Sequence, residues 1–198
     1  MKIRAAEETE LDQLASIWHD GWQDAHSQIL PGELARRRTL GSFRQRLQLA
    51  LPGVRVSGPR NQPLGFCITK GDELYQLYVS ANARGTGLAR ALLVDAEEHM
   101  SSRGTLTAWL ACAIGNSRAA KFYKKNNWQR VGSMISELPT PEGVFSLEVW
   151  RYEKSLHEES CTKTCTTQDA PLGRGLTVHS SRSRSAARPN SGVMQQEK

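Results

Sequence analysis

Residues 77–93 read Leu77-Tyr78-Val79-Ser80-Ala81-Asn82-Ala83-Arg84-Gly85-Thr86-Gly87-Leu88-Ala89-Arg90-Ala91-Leu92-Leu93. The apolar start predicts a buried strand, and a short loop then leads into a helix running from Gly87 to about Ser102. A glycine-bearing loop at a helix start leaves backbone N–H groups unpaired and pointing outward. The missing Cβ atoms of Gly85 and Gly87 let an anion come close, and the helix dipole favours negative charge there. Arg84 adds a positive charge at the mouth. The segment is predicted to cradle a phosphate group.

Two familiar phosphate loops fail on spacing. A P-loop closes its glycine run with Lys-Ser/Thr, but Leu88-Ala89-Arg90 follows Gly87. A dinucleotide fingerprint needs a small third residue where Arg90 stands. A second segment downstream narrows the choice. Thr105 to Cys112 is apolar and β-favouring and predicts a core strand. Asn116-Ser117-Arg118-Ala119-Ala120-Lys121-Phe122-Tyr123 follows it, with Asn116 placed to cap a helix that carries Ala119, Phe122 and Tyr123 on one face.

The order Arg84-x-x-Gly87-x-Ala89 resembles the acyl-CoA pyrophosphate loop of the GNAT superfamily of N-acyltransferases, and Asn116-x-x-Ala119-x-x-Phe122-Tyr123 resembles that family's second motif. One departure is visible: Asn127 precedes Trp128 where the family usually has Gly. Asn is the next-best residue in the left-handed conformation, so the helix stop is expected to hold. The resemblance covers residues 1 to about 155. It implies an α/β fold with a mixed, mostly antiparallel central sheet flanked by helices, two of whose strands splay apart at the CoA site.

The resemblance also implies roles. Loop amides from Arg84 through Gly85, Thr86, Gly87, Leu88 and Ala89 would take the pyrophosphate. The strand edge near Leu77 and Val79 would bond the pantetheine amides, with a backbone N–H near Val79 for the developing oxyanion. Asn116 would contact the pantetheine arm, and Tyr123 would protonate the leaving sulfur, a tyrosine near pKa 10 being protonated at neutral pH. Acetyl-CoA, or another short acyl-CoA, is the implied co-substrate, with no metal. The implied reaction is direct attack of an amine on the thioester. A lysine-like amine costs about 4.6 kcal/mol to deprotonate at pH 7 and an α-amine about 1 kcal/mol. A lysine-like acceptor therefore needs a base. The candidate is Glu73, on the strand where the family often carries a carboxylate, although a solvated turn residue after Gly71-Asp72 reads the same way.

The acceptor pocket is expected from the first two helices and the closing hairpin, including Trp18, Trp22, His26 and the turn from Pro139 to Gly143. These residues do not distinguish a small-molecule amine from a peptide amine. A non-catalytic acyl-CoA sensor or scaffold remains the alternative to an enzyme.

The rest of the sequence fits one such domain. The chain has 198 residues and is 38% hydrophobic, enough for a single substantial core. Thr9 with Asp12 predicts the first helix start. Its apolar stripe runs through Leu11, Leu14, Ile17, Trp18 and Trp22. Pro31-Gly32 leads into one basic helix carrying Arg36 to Arg46, with Leu40, Phe43 and Leu47 inward. Val54 to Val56 is a weak strand. Leu64 to Thr69 and Glu73 to Val79 form a hairpin, and Trp128 to Leu138 with Val144 to Tyr152 close the domain. Cys67 and Cys112 are expected as buried thiols rather than a disulfide framework. No membrane span and no apolar leader are read, so the expected place is the cytoplasm and the expected state a monomer or homodimer.

Residues 156–198 are rich in Ser, Thr and Arg without apolar periodicity, and a disordered tail is expected. Cys161 and Cys165 with His157 and His179 lack the spacing of a zinc site. The Ser180–Ser185 stretch carries few cations, so a nucleic-acid partner is not expected: about four arginines give a salt slope of only about −3 to −4. Of the net +6, the tail holds +2, and the remaining +4 suits a polyanionic cofactor.

Overall fold

In the computed structural model, which describes residues 2–140 and 142–157, seven strands form one sheet in the order β1-β2-β3-β4-β5-β7-β6. They are β1 (Ile3–Ala5), β2 (Val54–Ser57), β3 (Gly65–Lys70), β4 (Glu73–Val79), β5 (Thr107–Ala113), β6 (Gln129–Thr140) and β7 (Gly143–Ser155). Every neighbouring pair is antiparallel except β4 and β5, which run parallel. That pair meets only at Glu73 and Trp109, fixed by Trp109 N–H to the Asp72 carbonyl at 3.0 Å. Past this point the strands diverge, and among the described residues one edge of β4 from Tyr75 to Val79 is left without a strand partner. The splay implied by the sequence resemblance is present.

Two apolar clusters cover the two faces of the sheet. On one face lie α4 (Leu88–Ser101) and α5 (Ser117–Lys125), burying Leu88, Leu92, Leu93, Ala96 and Met100 against Cys67, Leu74 and Leu110. On the other lie α1 (Leu11–His26), α2 (Gly32–Arg37) and α3 (Leu40–Ala50), burying Leu14, Trp18, Leu34, Phe43 and Leu47 against Val56, Phe66 and Ile68. The stripe expected for α1 is the face it buries. Gly21 sits on that stripe because a Cβ there would lie 2.6 Å from Tyr78 Cδ1, so glycine lets α1 rest directly on β4. β4 itself bulges. Thr69 pairs with Leu74 and Ile68 with Gln76, so Tyr75 is the extra residue and its ring turns toward the α1 face.

Three local expectations are corrected. The first helix does not start at Thr9, whose hydroxyl instead donates to Asn61 Oδ1. A turn at Glu8–Glu10 precedes α1, and Glu10 accepts the Glu7 N–H at 3.0 Å while Arg4 grips its carboxylate. The acidic residue that completes the cap is thus Glu10 rather than Asp12, which is drawn off by Arg44. The single basic helix is two helices. Arg38 leaves helical geometry and Thr39 caps α3 by accepting the Ser42 N–H, an Ncap arrangement that favours a fresh start over continuation. Leu40, in the first turn after that cap, is 48% exposed rather than inward.

The other elements fall where periodicity placed them, within a few residues. Cys67 and Cys112 are buried free thiols. Among the described residues no helix is long and apolar enough to cross a membrane, and no group of three metal-ligating side chains forms. The readings of the tail fall outside the described residues, apart from His157, which is exposed.

Candidate active site

The loop after β4 presents a run of backbone N–H groups at the start of α4. Gly85 and Gly87 adopt φ of +78° and +86°, conformations that favour glycine, and a Cβ on either would meet nothing within 4 Å. Both therefore face open space. Thr86 closes the turn by donating its hydroxyl to the Ala83 carbonyl at 2.7 Å. Gly87 is the N-cap of α4 and offers no side chain to it. Among the described residues, no acceptor takes the backbone N–H groups of Gly85 to Arg90. Such a loop has the donors that an anion takes. These features fit a pyrophosphate, and a Cβ would fill the approach.

Arg84 is half-exposed and pairs with Asp24 at the end of α1, 2.9 Å away. Arg118, in the first turn of α5, reaches the same carboxylate at 2.8 Å. Asp24 is held below the usual carboxylate range chiefly by the Arg118 hydrogen bond. The loop and the α5 start are thus linked through α1, a connection the local motifs gave no sign of.

The second motif lies along the same cleft. Asn116 Oδ1 accepts the Ala119 N–H at 3.1 Å, capping α5 as its position predicts. That bond occupies the oxygen and leaves the amide nitrogen to donate elsewhere. Tyr123 packs edge-on to Phe122 and against Trp128 and Tyr152. Burial, with the Cys112 thiol beside it, raises its hydroxyl pKa above the ordinary tyrosine value, so it remains a proton donor at any physiological pH. Asn127 stops the helix at φ +66° and turns the chain into buried Trp128.

A cleft of about 930 Å³ joins these parts. Leu77 and Val79 on the open edge of β4, Arg84, Gly85, Gly87, Leu88, Ala89, Asn116 and Tyr123 all line it, as do Glu73, Trp22 and His26. Thr86 does not, because its hydroxyl is turned back into the loop. Glu73 opens β4 and Val79 closes it, about 20 Å apart at the strand rise. Burial pushes the Glu73 carboxyl above its ordinary value, with Lys70 pulling the other way. His26 bonds the Trp22 carbonyl through Nδ1 at 3.0 Å and packs at a tilt against the Trp22 ring. Its pKa falls through burial, so the ring is neutral at pH 7.

The cleft also holds residues that the sequence reading missed. Tyr75 and Tyr78 of β4, Arg38 at the end of α2 and Arg46 of α3 line the side covered by α1 to α3, with Leu138 and Leu147 from the β6–β7 hairpin. The available signal was Thr39 with Ser42, a cap that splits the basic segment and turns Arg38 inward.

The acetyltransferase (GNAT) family model matches residues 12–128, more than half of the chain. Peptidyl-lysine N-acetyltransferase YjaB of Escherichia coli (strain K12) is 29% identical over 148 residues, which is 74% of this chain and 95% of that protein. Among solved structures, a GCN5-related N-acetyltransferase from Rhodopseudomonas palustris matches with a TM-score of 0.62 at 19% identity, covering 78% of this chain and 94% of that one. The PaiA N-acetyltransferase of Thermoplasma acidophilum, in complex with coenzyme A, matches with a TM-score of 0.54 at 20% identity, covering 78% and 98%.

Proposed function

The chain belongs to the acetyltransferase (GNAT) family, an N-acetyltransferase taking its acetyl group from CoA, and from that premise we propose how its cleft divides the work. The N–H groups of Gly85 to Ala89 hold the pyrophosphate, and the unpaired edge of β4 at Leu77 and Val79 holds the pantetheine arm with Asn116. Acetyl-CoA supplies an acyl group activated as a thioester. The attacking amine forms the new C–N bond as the C–S bond breaks, and Tyr123 gives its proton to the departing sulfur. The amine's proton passes to water in the cleft; Glu73, about 20 Å down the strand from Val79, takes it at the end of a chain of several waters and not as a base in direct contact.

The observation that carries this reading is the convergence, in one cleft, of the unpaired loop amides, the splayed edge of β4 and the Tyr123 hydroxyl. The acceptor enters from the side lined by Trp22, His26 and the hairpin. A peptide amine is supported by the peptidyl-lysine activity named for the E. coli relative, and a small-molecule amine by the aromatic side chains that line this side of the cleft. The buried free thiols fit a reducing compartment such as the cytoplasm.

Thiol release from acetyl-CoA across a panel of amines tests the enzyme reading, and Tyr123→Phe tests the assignment. Release that falls in the variant while acetyl-CoA still stabilises the protein supports it. Strong acetyl-CoA binding without release from any amine would instead make the chain a sensor.

A further inference from the structure

Four arginines of the α2–α3 segment fall into two groups. Arg37 pairs with Glu33 and Glu142, and Arg44 with Asp12, all on the outer surface. Arg38 and Arg46, which line the cleft, have no carboxylate partner among the described residues. Arg38 is only 3% exposed, and among the described residues its guanidinium makes one hydrogen bond, from Nη1 to the Pro139 carbonyl at 2.9 Å. Arg46 lies over the Trp18 ring at 4.4 Å and donates to the Tyr75 hydroxyl at 2.5 Å. Beneath it, the Trp18 indole Nε1 is buried without any hydrogen-bond partner among the described residues.

A buried cation without an anion is costly, and a second cation facing the same space adds to the cost. Arg38 bears the mark of it: burial, with Arg46 adding to the effect, lowers its pKa to about 10. Tyr75, already accepting from Arg46, has its own proton left to donate. The walls around these donors are apolar, supplied by Leu34, Leu138 and Leu147. Such a pocket repels polycations and leaves a neutral amine without a partner for the guanidinium groups. It suits an anion.

We propose that the acceptor is an amine that also carries a carboxylate, an amino acid or a close relative, whose carboxylate seats between Arg38 and Arg46. This deepens the acetyl-transfer reading and rests on it. The planar forks of the two guanidinium groups match a carboxylate, and apolar walls strengthen each charged hydrogen bond. The class excludes polyamines. It also excludes a lysine inside a protein chain, whose own carboxyl group is tied up in a peptide bond.

The experiment compares amino acids with their carboxamides and decarboxylated amines in thiol release from acetyl-CoA. A parallel set of thermal melts, with CoA present, uses N-acetyl amino acids and their carboxamides as ligands and needs no turnover. The expected result is at least tenfold higher kcat/KM for the carboxylates, together with stabilisation by N-acetyl amino acids but not by their amides. In Arg46→Met and Arg38→Met that preference collapses toward one, mainly through KM. Arg38→Met is expected to melt no lower than wild type, because it removes a buried charge that lacks a partner. Equal or better turnover of amides or polyamines would overturn the carboxylate assignment and leave acetyl transfer standing. Absence of turnover from every amine would defeat the transferase reading, and the melts would then decide the carboxylate site alone. No carboxylate-dependent stabilisation there would overturn it.

Discussion

The two walls of the cleft are made by different means. On the α4–α5 side, the candidate binding groups are backbone N–H groups and a helix cap, all set within short stretches of chain: Gly85 to Arg90, and Asn116 to Ala119. On the α1–α3 side they are side chains gathered from distant segments. Arg38 meets Pro139 across 101 positions, and Arg46 meets Tyr75 across 29. The first wall suits a ligand portion that is always the same, a pyrophosphate and its arm. The second can change with single substitutions, as an acceptor site must if one fold is to serve many amines.

The largest effect that would break this division is expected at Tyr123. Tyr123→Phe keeps the ring packed against Phe122, Trp128 and Tyr152 and removes only the proton, so kcat should fall by about a hundredfold or more. Acetyl-CoA affinity, measured by calorimetry, should stay within about twofold. Because burial raises this hydroxyl's pKa, the wild-type rate should show no loss from tyrosine ionisation up to at least pH 10. A hundredfold loss of affinity with kcat preserved would make Tyr123 a cofactor-binding wall instead.

Gly87→Ala comes next. The new Cβ has room in the protein, but it must adopt φ of +86° and project into the anion's approach. The strain should cost about 1 kcal/mol of stability, and acetyl-CoA affinity should drop about tenfold or more. Melts with and without ligand separate the two effects. Normal ligand stabilisation in this variant would remove the pyrophosphate from the loop.

The same contrast explains what the sequence disclosed. A strand, a glycine loop and a helix start announce themselves within a dozen residues, because N-termini and left-handed turns are local geometry. The Asn127 helix stop was legible for the same reason. The order of elements followed from periodicity, apart from the broken basic helix. Arg38 and Arg46 were legible only as charges. What makes them candidates is that no carboxylate among the described residues pairs with them, and that depends on how α2, α3 and the hairpin come together. Gly21 gave no signal either, since its reason is the ring of Tyr78 on another element.

Glu73 sits between the walls and should show a medium effect. Burial holds its carboxyl above the ordinary value, so its base form appears at higher pH than for a free glutamate. If it receives the amine's proton, kcat/KM should rise with pH through that raised pKa, and Glu73→Gln should flatten the limb and lower the rate severalfold. The folded state binds the proton more tightly than the unfolded chain. Its contribution is therefore present below the unfolded pKa and declines as pH rises to the folded value. Glu73→Gln should thus slightly raise the melting temperature at pH 8. An unchanged pH–rate profile would return Glu73 to the role of a turn residue.

The smallest effect tests the pair of ion pairs through which Asp24 links the walls at the phosphate end. Asp24 belongs to α1, yet it holds Arg84 of the loop and Arg118 of α5. These three side chains are 38%, 47% and 59% exposed for Arg84, Asp24 and Arg118, so each pair contributes on the order of 0–1 kcal/mol once screened. Arg84→Ala should therefore weaken acetyl-CoA binding only a fewfold, because the loop amides remain. Asp24→Asn should do the reverse: with the carboxylate neutralised, both arginines are free for phosphate, and affinity should rise by up to about fivefold at low salt. Both differences should shrink as ionic strength increases toward 1 M, where the screening length is about 3 Å. Weaker binding in Asp24→Asn would mean that the carboxylate positions Arg84 and Arg118 for the cofactor rather than competing with it, and the two walls would then not be independent.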